Sequence, residues 1–409
     1  MPEFLTLDDV DVSGKTVLVR VDINSPIDPE TKRVLDDTRI RLHAKTIKEL
    51  VDKGAKVVVL AHQGRPGEPD FVPLKEHAEI LGRILNVPVK YVDDVCGERA
   101  QAAIRELKPG EVLVLENVRT LPYEREKRSA EEHAQTELVK NLAPLADLFV
   151  FDGFSVAHRS HASVVGFTAV LPSVAGRVME AELKALSKAL EAPEKPCIFI
   201  LGGAKAEKCV GIIRYVLERG IADKILAGGL VGHVLLAAKG VQIGEPNMQV
   251  LVKKGLADVI PDMKEFLERY PERIMVPEDV AVEVDGERRE VKVSELPTNY
   301  PIFDVGMETM RAYKELVRGA RSIVVSGPLG VYEKPPFVKG TSEVFGAVAE
   351  SDAYSLAGGG DTAAVLRKLG LHEKFSYVST AGGAFIEYLM GKKLPAVEAL
   401  KEAAKRMKP

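Results

Sequence analysis

The chain has 409 residues, a length that favours two or three domains, and 46% of them are hydrophobic, enough for sizeable cores. A net charge of −4 argues against a protein that coats nucleic acid or an anionic membrane, but it leaves room for a local basic pocket. The three cysteines have no CxxC or zinc-type spacing and fit a reducing compartment. We find no signal peptide and no apolar run of about 18 residues. We therefore expect a cytoplasmic protein with neither a membrane nor a nucleic-acid partner.

Short apolar runs rich in β-branched residues alternate with amphipathic stretches along almost the whole chain. Most of these runs are continuous, which is typical of strands covered on both faces. The pattern predicts an α/β fold with mainly parallel, doubly wound sheets flanked by helices. The predicted strands are residues 16–21, 56–60, 111–116, 148–152, 197–201, 224–228, 322–326 and 375–380.

Other segments predict helices and one hairpin. Residues 39–54 predict a helix that ends at Gly54, and the last residues, AVEALKEAAKRMK, predict another. Residues 177–190 form a long helical pattern followed by the charged turn EAPEKP, where we place a domain boundary. Residues 278–297 predict an antiparallel hairpin that turns at Asp285-Gly286.

In the first half of the chain, polar and cationic residues follow the predicted strands. The carboxyl ends of parallel strands meet at one edge of a sheet, where ligands bind. Arginine suits phosphate and carboxylate, and histidine adds further donors, so this edge predicts a cradle for a small, multiply negative ligand. A zinc site is an alternative for the two closely spaced histidines, but no cysteine or carboxylate cluster accompanies them. The residues concerned are Arg20, Asp22, Asn24, Arg39, His62, Arg65, Arg119, His158, Arg159 and His161.

In the second half, glycines follow the predicted strands. Glycine lets backbone N–H groups approach phosphate closely, and helix N-termini add a favourable dipole. Lys205 follows two glycines and suits a cation that contacts phosphoryl groups, whereas Asp361, within a glycine loop, suits Mg²⁺ carried on phosphates. The glycine-rich segments are GGAKAEK (202–208), GLVG (229–232), GPLGVYE (327–333), AGGGDTAAV (357–365) and AGGAFIEYL (381–389).

Two other nucleotide motifs fit less well. SGKT at 13–16 has Asp9 where a Walker A loop needs glycine, and it precedes its strand. Gly358-x-Gly360-x-x-Ala363 matches a weak dinucleotide fingerprint, but Asp361 lies inside it and no acidic residue ends the next strand. An NAD-dependent oxidoreductase is therefore the runner-up. A non-catalytic metabolite-binding protein is a third hypothesis, disfavoured by the joint presence of Lys205 and Asp361.

An anion pocket and a magnesium-nucleotide site in one chain indicate phosphoryl transfer. No nucleophile or general base stands out, which fits an acceptor that is already an anion, such as a carboxylate. Such a reaction needs positioning and charge neutralisation more than proton transfer.

With these features the chain resembles the phosphoglycerate kinase family. The resemblance spans nearly the whole chain, in family order, and together the motifs are highly specific. The matching segments are VRVDINSP, DDTRIR, AHQGRP, LENVR, FDGFSVAHRSHAS, LGGAKAEK, FDVG, SGPLGVYE, AGGGDTAAV and VSTAGGAF.

The resemblance implies a glycolytic phosphotransferase with a carboxylate acceptor. It would transfer a phosphoryl group reversibly between 1,3-bisphosphoglycerate and ADP, giving 3-phosphoglycerate and ATP, with Mg²⁺ as MgATP or MgADP. We expect a monomer or small homo-oligomer. The implied parts are a phosphoglycerate-binding domain (1–176), an interdomain helix at a hinge (177–192), a nucleotide-binding domain (193–392) and a C-terminal helix that packs back on the first domain (393–409).

The resemblance also implies the site residues. Arg39, Lys205, Gly382 and Gly383 would act on the phosphoryl group, Asp361 would hold Mg²⁺, and Glu333 would contact the ribose. The substrate contacts would be Asp22, Asn24, Arg39, His62, Gln63, Gly64, Arg65, Arg119 and Arg159, and the nucleotide contacts Lys205, Glu333, Gly358, Gly359, Gly360, Asp361 and Thr362.

Two positions depart from the family pattern. The second lysine of the GGAK segment stands three positions after Lys205, at Lys208, rather than four. Ser326 stands where the family often has asparagine before Gly-Pro. We carry over no role for either residue.

Overall fold

The structure, a computed structural model, describes residues 3–408, and the chain forms two compact units. Unit 1 comprises the residues up to Leu183 together with those from Lys393 onward, and unit 2 comprises Lys184–Lys392. The division falls inside a continuous helix, Arg177–Leu190, which has the bounds predicted for it.

Unit 1 contains a six-stranded parallel sheet. Its strands are β1 (Thr16–Arg20), β2 (Lys56–Leu60), β3 (Val89–Tyr91), β4 (Val112–Val114), β5 (Leu148–Phe151) and β6 (Ser173–Ala175). They lie in the order β3-β4-β2-β1-β5-β6, with β2 and β1 at the centre and β4 between β2 and β3. All residues of β1 and β5 are buried, as their continuous apolar runs predict. The carboxyl ends of β1, β2, β4 and β5 therefore meet at one edge.

Helices flank this sheet. The first of them is amphipathic: it buries Ile40, Ile47 and Leu50 while Lys48 faces solvent. The α-helices up to the division between the units are α1 (Thr38–Asp52), α2 (Lys75–Leu85), α3 (Glu98–Arg105), α4 (Ala130–His133), α5 (Glu137–Leu142), α6 (Ala162–Val165) and α7 (Arg177–Leu190).

A buried carboxylate anchors the start of α7. Asp152, which follows β5, accepts hydrogen bonds from the backbone N–H of Val178 (2.9 Å) and from His43 Nδ1 (2.7 Å). An anion is favoured at a helix N-terminus. The Asp152 of the FDG segment therefore has a structural role.

Unit 2 contains a six-stranded parallel sheet and a three-stranded antiparallel one. Its strands are β7 (Cys197–Leu201), β8 (Lys224–Ala227), β9 (Ile274–Met275), β10 (Asp279–Val284), β11 (Glu287–Lys292), β12 (Ile302–Val305), β13 (Ser322–Ser326), β14 (Tyr354–Gly358) and β15 (Tyr377–Val378). The parallel sheet has the order β15-β14-β13-β7-β8-β9 and the small sheet the order β11-β10-β12. The carboxyl ends of β7, β13 and β14 bring the loops after them together.

The remaining α-helices belong mainly to unit 2, but the last one closes unit 1. That helix buries Ala396, Leu400 and Ala403, and the backbone N–H of Ala396 donates to the carbonyl oxygen of Ala157 (3.0 Å). The helices are α8 (Ala206–Glu218), α9 (Gly229–Ala238), α10 (Glu245–Lys253), α11 (Ile260–Arg269), α12 (Met307–Arg318), α13 (Lys339–Glu350), α14 (Gly360–Lys368), α15 (Gly383–Leu389) and α16 (Pro395–Met407).

Short 3₁₀ turns connect many of these elements. They are Leu7–Asp9, Val118–Thr120, Ala143–Leu145, Phe154–Val156, Gly166–Ala169, Leu256–Val259, Val293–Glu295, Pro335–Phe337 and His372–Lys374.

The fold class is confirmed, with corrections to individual strands. The hairpin turns where expected, with Asp285 and Gly286 at φ of 52° and 80°. The strands predicted over 111–116 and 375–380 are shorter, because pairing covers only Val112–Val114 and Tyr377–Val378. The strands β3, β6, β9, β12 and β14 were not predicted.

Two further expectations concern membranes and thiols. Over the described part of the chain, none of the helices is both long and apolar enough to cross a membrane. Cys96, Cys197 and Cys209 are free and buried, and Cys197, in β7, is a small core residue as expected.

Candidate active site

In unit 1, hydrogen bonds join most of the predicted anion-binding residues at the carboxyl edge of the sheet. Asp22, after β1, accepts a hydrogen bond from Arg39 Nη1 at 2.6 Å and another from the Ser155 hydroxyl. Burial alone would raise the pKa of Asp22, but the Arg39 charge and the Ser155 bond outweigh it and hold that pKa below its ordinary range. Asp22 is thus an ionised, buried partner that orients Arg39.

The loop after β2 is fixed from two sides. The backbone N–H of Gly64 donates to Asn24 Oδ1 (2.7 Å), and the Gly64 carbonyl accepts from Arg119 Nη1 (2.7 Å). These two bonds link the loops that follow β1, β2 and β4. The sequence separations are large, yet the loops converge because their strands are neighbours.

Gln63 belongs to this cluster, but its side chain faces inward. Its Oε1 accepts from the Ser25 backbone N–H and lies 2.9 Å from His77 Nε2, and its Nε2 donates to the Ser25 and Asp70 carbonyls. The side chain is fully buried, and these bonds satisfy its donors and acceptors. These hydrogen bonds indicate that Gln63 fixes the conformation of the loop.

Two buried nitrogens near this cluster have no protein partner within the described part of the chain. Among residues 3–408, Arg119 Nε and His161 Nδ1 are buried and unbonded. Burial, followed by the repulsion of Arg20, lowers the pKa of Arg119 to about 10. Burial and Arg119 lower the pKa of His161 to about 3. Buried, unsatisfied nitrogen groups in a strongly cationic site suit an anionic ligand.

Arg65 and Arg159 lie near the same cluster of side chains. Arg65 is exposed and Arg159 half-buried, and neither makes an ion pair within the described range 3–408. The charge of Arg65 acts on Arg119 and the charge of Arg159 acts on His161, which places the two arginines near these side chains. Their guanidinium groups remain available.

Sequence reasoning missed three polar residues under this pocket. Ser155 bonds to Asp22, whereas Ser163 and Glu124 bond to each other and to the network around Arg20. Arg20, grouped with the strand-end cations, is fully buried and bonds to protein groups. No local spacing marks Glu124 or Ser163, because they are 39 residues apart.

In unit 2, glycine loops pack against each other at the carboxyl edge of the parallel sheet. Gly327 has φ of +96°, and a Cβ there would lie 2.2 Å from the Gly202 carbonyl oxygen. Only glycine fits this contact. The Gly203 N–H donates to the Pro328 carbonyl (2.8 Å), and the Gly327 N–H donates to Thr362 Oγ1 (2.8 Å). Thr362, buried at the start of α14, therefore links two of the predicted phosphate loops.

These loops line a cavity of about 220 Å³. Lys205, at the N-terminus of α8, lies on it together with Asp361 and Gly382. Lys208 and Ser326, the two positions that depart from the family pattern, also line it. The remaining predicted nucleotide residues on this cavity are Gly359, Gly360 and Thr362.

A second cavity of about 330 Å³ adjoins the first, because Gly203, Ala204, Pro328 and Asp361 line both. Much of its wall is apolar, and Glu333 and His233 are among its polar residues. Burial lowers the pKa of His233 to about 4, so its imidazole is neutral near pH 7. The sequence prediction missed the apolar walls, which are Leu230, Val250, Pro301, Phe303, Leu329 and Val331.

Two predicted residues lie outside this lining. Gly358 is buried at the end of β14, where a Cβ would meet the Phe385 ring at 2.5 Å, and it supports the loop from below. Gly383 opens α15 beside Gly382.

The fold and the two clusters of candidate site residues fit one class of protein, the α/β phosphotransferases. The sequence pattern of the phosphoglycerate kinase family matches residues 7–392. The chain therefore belongs to the phosphoglycerate kinase family, the glycolytic enzymes that transfer a phosphoryl group between 1,3-bisphosphoglycerate and ADP.

Individual relatives agree with this assignment. The chain is 49% identical to the phosphoglycerate kinase of Methanothermobacter thermautotrophicus over 401 residues. The alignment covers 98% of this chain and 97% of the relative. It is 39% identical to the crystal structure of phosphoglycerate kinase from Pyrococcus horikoshii OT3, with a TM-score of 0.90 over 98% of this chain and 100% of that one. The structure of the Coxiella burnetii phosphoglycerate kinase has a TM-score of 0.85 at 34% identity, over 98% and 100% of the two chains.

Proposed function

We propose that unit 1 binds 3-phosphoglycerate or 1,3-bisphosphoglycerate and that unit 2 binds ATP or ADP with Mg²⁺. The observation that carries the proposal is the pair of adjoining cavities in unit 2. One is lined by glycine loops and Lys205, and the other has apolar walls. A nucleotide has the matching chemistry, an anionic tail joined to a flat, mostly apolar base.

In unit 1, we assign direct anion contacts to the arginines with unused donors. Arg65 and Arg159 would bind through whole guanidinium groups, and Arg119 through the Nε that protein leaves unbonded. His62 would add a neutral donor. Asp22, Asn24, Gln63 and Gly64 would act mainly by holding these groups in place.

Arg39 has a dual role in this proposal. Its Nη1 is held by Asp22, whereas its Nε and Nη2 have no protein partner among residues 3–408. A guanidinium fixed at one end and open at the other suits stabilisation of the phosphoryl group in transfer.

In unit 2, Lys205 would neutralise charge on the transferring phosphoryl group. The backbone N–H groups of Gly359, Gly360, Gly382 and Gly383 would contact phosphate oxygens, and Glu333 would bind the ribose. Thr362 would keep the loops together, since its hydroxyl already accepts from Gly327.

Asp361 fits a magnesium site of the type found with nucleotides. Its carboxylate is exposed, lines both cavities and has a single long contact, 3.5 Å, with the Tyr332 hydroxyl. Within residues 3–408 no group of three or more His, Cys, Asp or Glu side chains is arranged to hold a metal. Mg²⁺ commonly binds through one or two carboxylates together with substrate phosphates. Bound there, it would neutralise phosphate charge.

No general base is needed in this reaction. The acceptor is a carboxylate that already carries its charge, so this chain has to orient two anions and reduce their repulsion. We also propose that the protein is cytoplasmic and a monomer or small homo-oligomer, with each cavity formed within one unit of one chain.

The test is ADP release from MgATP with and without 3-phosphoglycerate, with the acyl phosphate trapped by hydroxylamine. We expect release that needs 3-phosphoglycerate and an acyl hydroxamate in equal amount. Glycerol 3-phosphate, which lacks the acceptor carboxylate, is the matched control and should give neither. Equal release with both compounds would contradict the assignment of a carboxylate acceptor.

A further inference from the structure

Arg20 is a buried cation that bonds directly to no carboxylate among residues 3–408. It ends β1 and has 0% of its surface exposed. Its Nε donates to Ser163 Oγ at 2.8 Å, its Nη1 donates to the Val21 carbonyl, and its Nη2 lies 3.0 Å from His62 Nδ1. A buried charge is costly unless its donors are satisfied, so this arrangement constrains each partner.

The contact with Arg20 fixes the protonation of His62. A guanidinium only donates hydrogen bonds, so His62 Nδ1 must accept and carries no proton. A neutral imidazole then has its hydrogen on Nε2, which bonds to no protein group within residues 3–408. Burial, followed by the repulsion of Arg20, lowers the pKa of His62 well below its ordinary value, in agreement with a neutral ring.

The hydrogen bonds at the other end of this series also have a fixed direction when the Glu124 carboxyl is ionised. Ser163 Oγ accepts from Arg20, so its own hydrogen is free to go to Glu124 Oε1, 2.5 Å away. The Glu124 carboxylate accepts the Ser163 backbone N–H as well, at 3.1 Å and 3.0 Å to its two oxygens. Glu124 is fully buried, and its ionised form balances the charge of Arg20 across the serine.

We infer that Glu124, Ser163 and Arg20 form a buried relay of hydrogen bonds that holds His62 in its Nε2–H tautomer. All four residues lie in unit 1 and come from separate segments of the chain. The relay makes His62 present a donor to an anionic ligand. In the opposite tautomer, a lone pair would face the ligand and repel it. Glu124, Ser163 and Arg20 are positioning residues, and their effect on the substrate rests on the proposed function of the pocket.

The tautomer can be read directly by ¹⁵N NMR of the full-length protein labelled at histidine, with the His62 signals identified by their loss in His62→Gln. We expect the wild-type ring to be neutral with its proton on Nε2. Arg20→Met removes the donor to Nδ1, so a second, Nδ1-protonated population should appear. The KM for 3-phosphoglycerate should rise roughly tenfold, as expected for one lost charge-assisted hydrogen bond, with a smaller change in kcat.

Ser163→Ala is a milder variant for the case that Arg20→Met does not fold. It removes the support for Arg20 Nε, so we expect smaller changes in the same direction, and Ser163→Thr should restore both the tautomer and the KM. Ser173→Ala removes another buried serine hydroxyl of unit 1, one bonded to the Leu171 carbonyl, and should change neither.

Two results would overturn the relay. One is a wild-type His62 protonated on Nδ1 or on both nitrogens. The other is an unchanged Nε2–H ring in both folded variants. Failure of the proposed pocket gives a different result: His62→Gln would leave the KM for 3-phosphoglycerate unchanged, while the tautomer shifts in the relay variants would still occur.

Discussion

The candidate binding sites of the two units are built from different parts of the polypeptide. Unit 1 uses side chains held by hydrogen bonds, among them the buried Arg20 and Asp22 and the half-buried Arg119. Unit 2 uses its backbone, because N–H and carbonyl groups of the glycine loops contact each other. The charged side chains of Lys205 and Asp361 are exposed at the cavity wall. In unit 1 the charged side chains of the candidate site also hold the structure together, whereas in unit 2 they contribute little to it. Removing a side chain should thus have different consequences in the two units.

The largest effect should come from Arg39→Ala and Lys205→Ala. Each removes a cation proposed to act on the transferring phosphoryl group, a loss that can reach roughly 10³-fold in kcat. Arg39→Ala should also lower the melting temperature, because it leaves Asp22 buried without its cation, whereas Lys205→Ala should not. The measurements are kcat and thermal unfolding.

Controls for this pair lie on the same units. Arg41→Ala, two residues along α1 in an exposed ion pair, and Lys239→Ala, at the end of α9, should keep normal turnover. Near-normal kcat in either primary variant would refute the role given to that residue.

Arg65→Ala and Arg159→Ala should weaken phosphoglycerate binding with little loss of stability. A charge-assisted hydrogen bond contributes about 1.5–3 kcal/mol, which corresponds to roughly a 10- to 100-fold rise in KM. Neither residue supports an ion pair within residues 3–408, so the melting temperature should stay the same. Steady-state kinetics with varied 3-phosphoglycerate tests this, with Arg105→Ala as the surface control. An unchanged KM in both variants would contradict the proposal that Arg65 and Arg159 bind phosphoglycerate.

Gly327→Ala adds a side-chain atom at a place in unit 2 where two backbone segments are in contact. The new Cβ would meet the Gly202 carbonyl, and alanine at a positive φ costs roughly 1–2 kcal/mol besides. We expect a lower melting temperature and weaker ATP binding by calorimetry. Gly286→Ala is the control for φ alone, since Gly286 also has a positive φ but no atom within 4 Å of its Cβ position. Equal stability losses in the two variants would show that the loop contact is unimportant.

Asp361→Asn should raise the Mg²⁺ concentration needed for half-maximal activity by roughly tenfold, since one charged ligand becomes neutral. The exposed carboxylate supports little structure, so stability should not change. A magnesium titration at fixed ATP measures the effect, with Asp352→Asn as the control. A magnesium requirement equal to that of the wild type would exclude Asp361 as the ligand.

The smallest effect concerns pH and Glu124. Burial, partly offset by Arg20, raises the pKa of this carboxyl to about 7, above its ordinary value of 4.5. Between these values the folded state keeps a proton that the unfolded state releases, so the stability contributed by this group falls as the pH rises through that window.

Glu124→Gln should therefore flatten the pH dependence of unit 1 stability between pH 5 and 8, by on the order of 1 kcal/mol. Hydrogen exchange of β1 amides reports on unit 1 alone. Glu111→Gln, at a solvent-accessible carboxylate, is the control and should follow the wild type. A Glu124→Gln profile parallel to the wild type would refute the raised pKa.

Much of the architecture could be predicted because the signals are local. β1, β7 and β13 are continuous apolar runs, and Asp285-Gly286 supplies the backbone freedom that a tight hairpin needs. The strand β14 was missed because its last residue, Gly358, begins a glycine run that resembles a loop. β9 and β15 are two-residue strands, each defined by its pairing with one neighbouring strand, β8 and β14 respectively.

The candidate site divides in the same way. Strand-end cations and glycine loops are visible in the sequence because parallel strands deliver them to one edge. Glu124 and Ser163 acquire their roles only from burial, and Leu230 or Phe303 looks in the sequence like any core residue. Tertiary packing decides whether such residues face a cavity or the core.

Unit 1 is discontinuous, since its last helix, α16, is encoded after the whole of unit 2. A ribosome releases the segments of unit 1 up to Leu183 long before Ala396, Leu400 and Ala403 emerge to cover them. During synthesis unit 1 therefore stays unfinished, with an apolar surface open, while the continuous unit 2 can complete its core. A chain that stops before α16 would therefore have a complete unit 2 but leave the apolar surface of unit 1 uncovered.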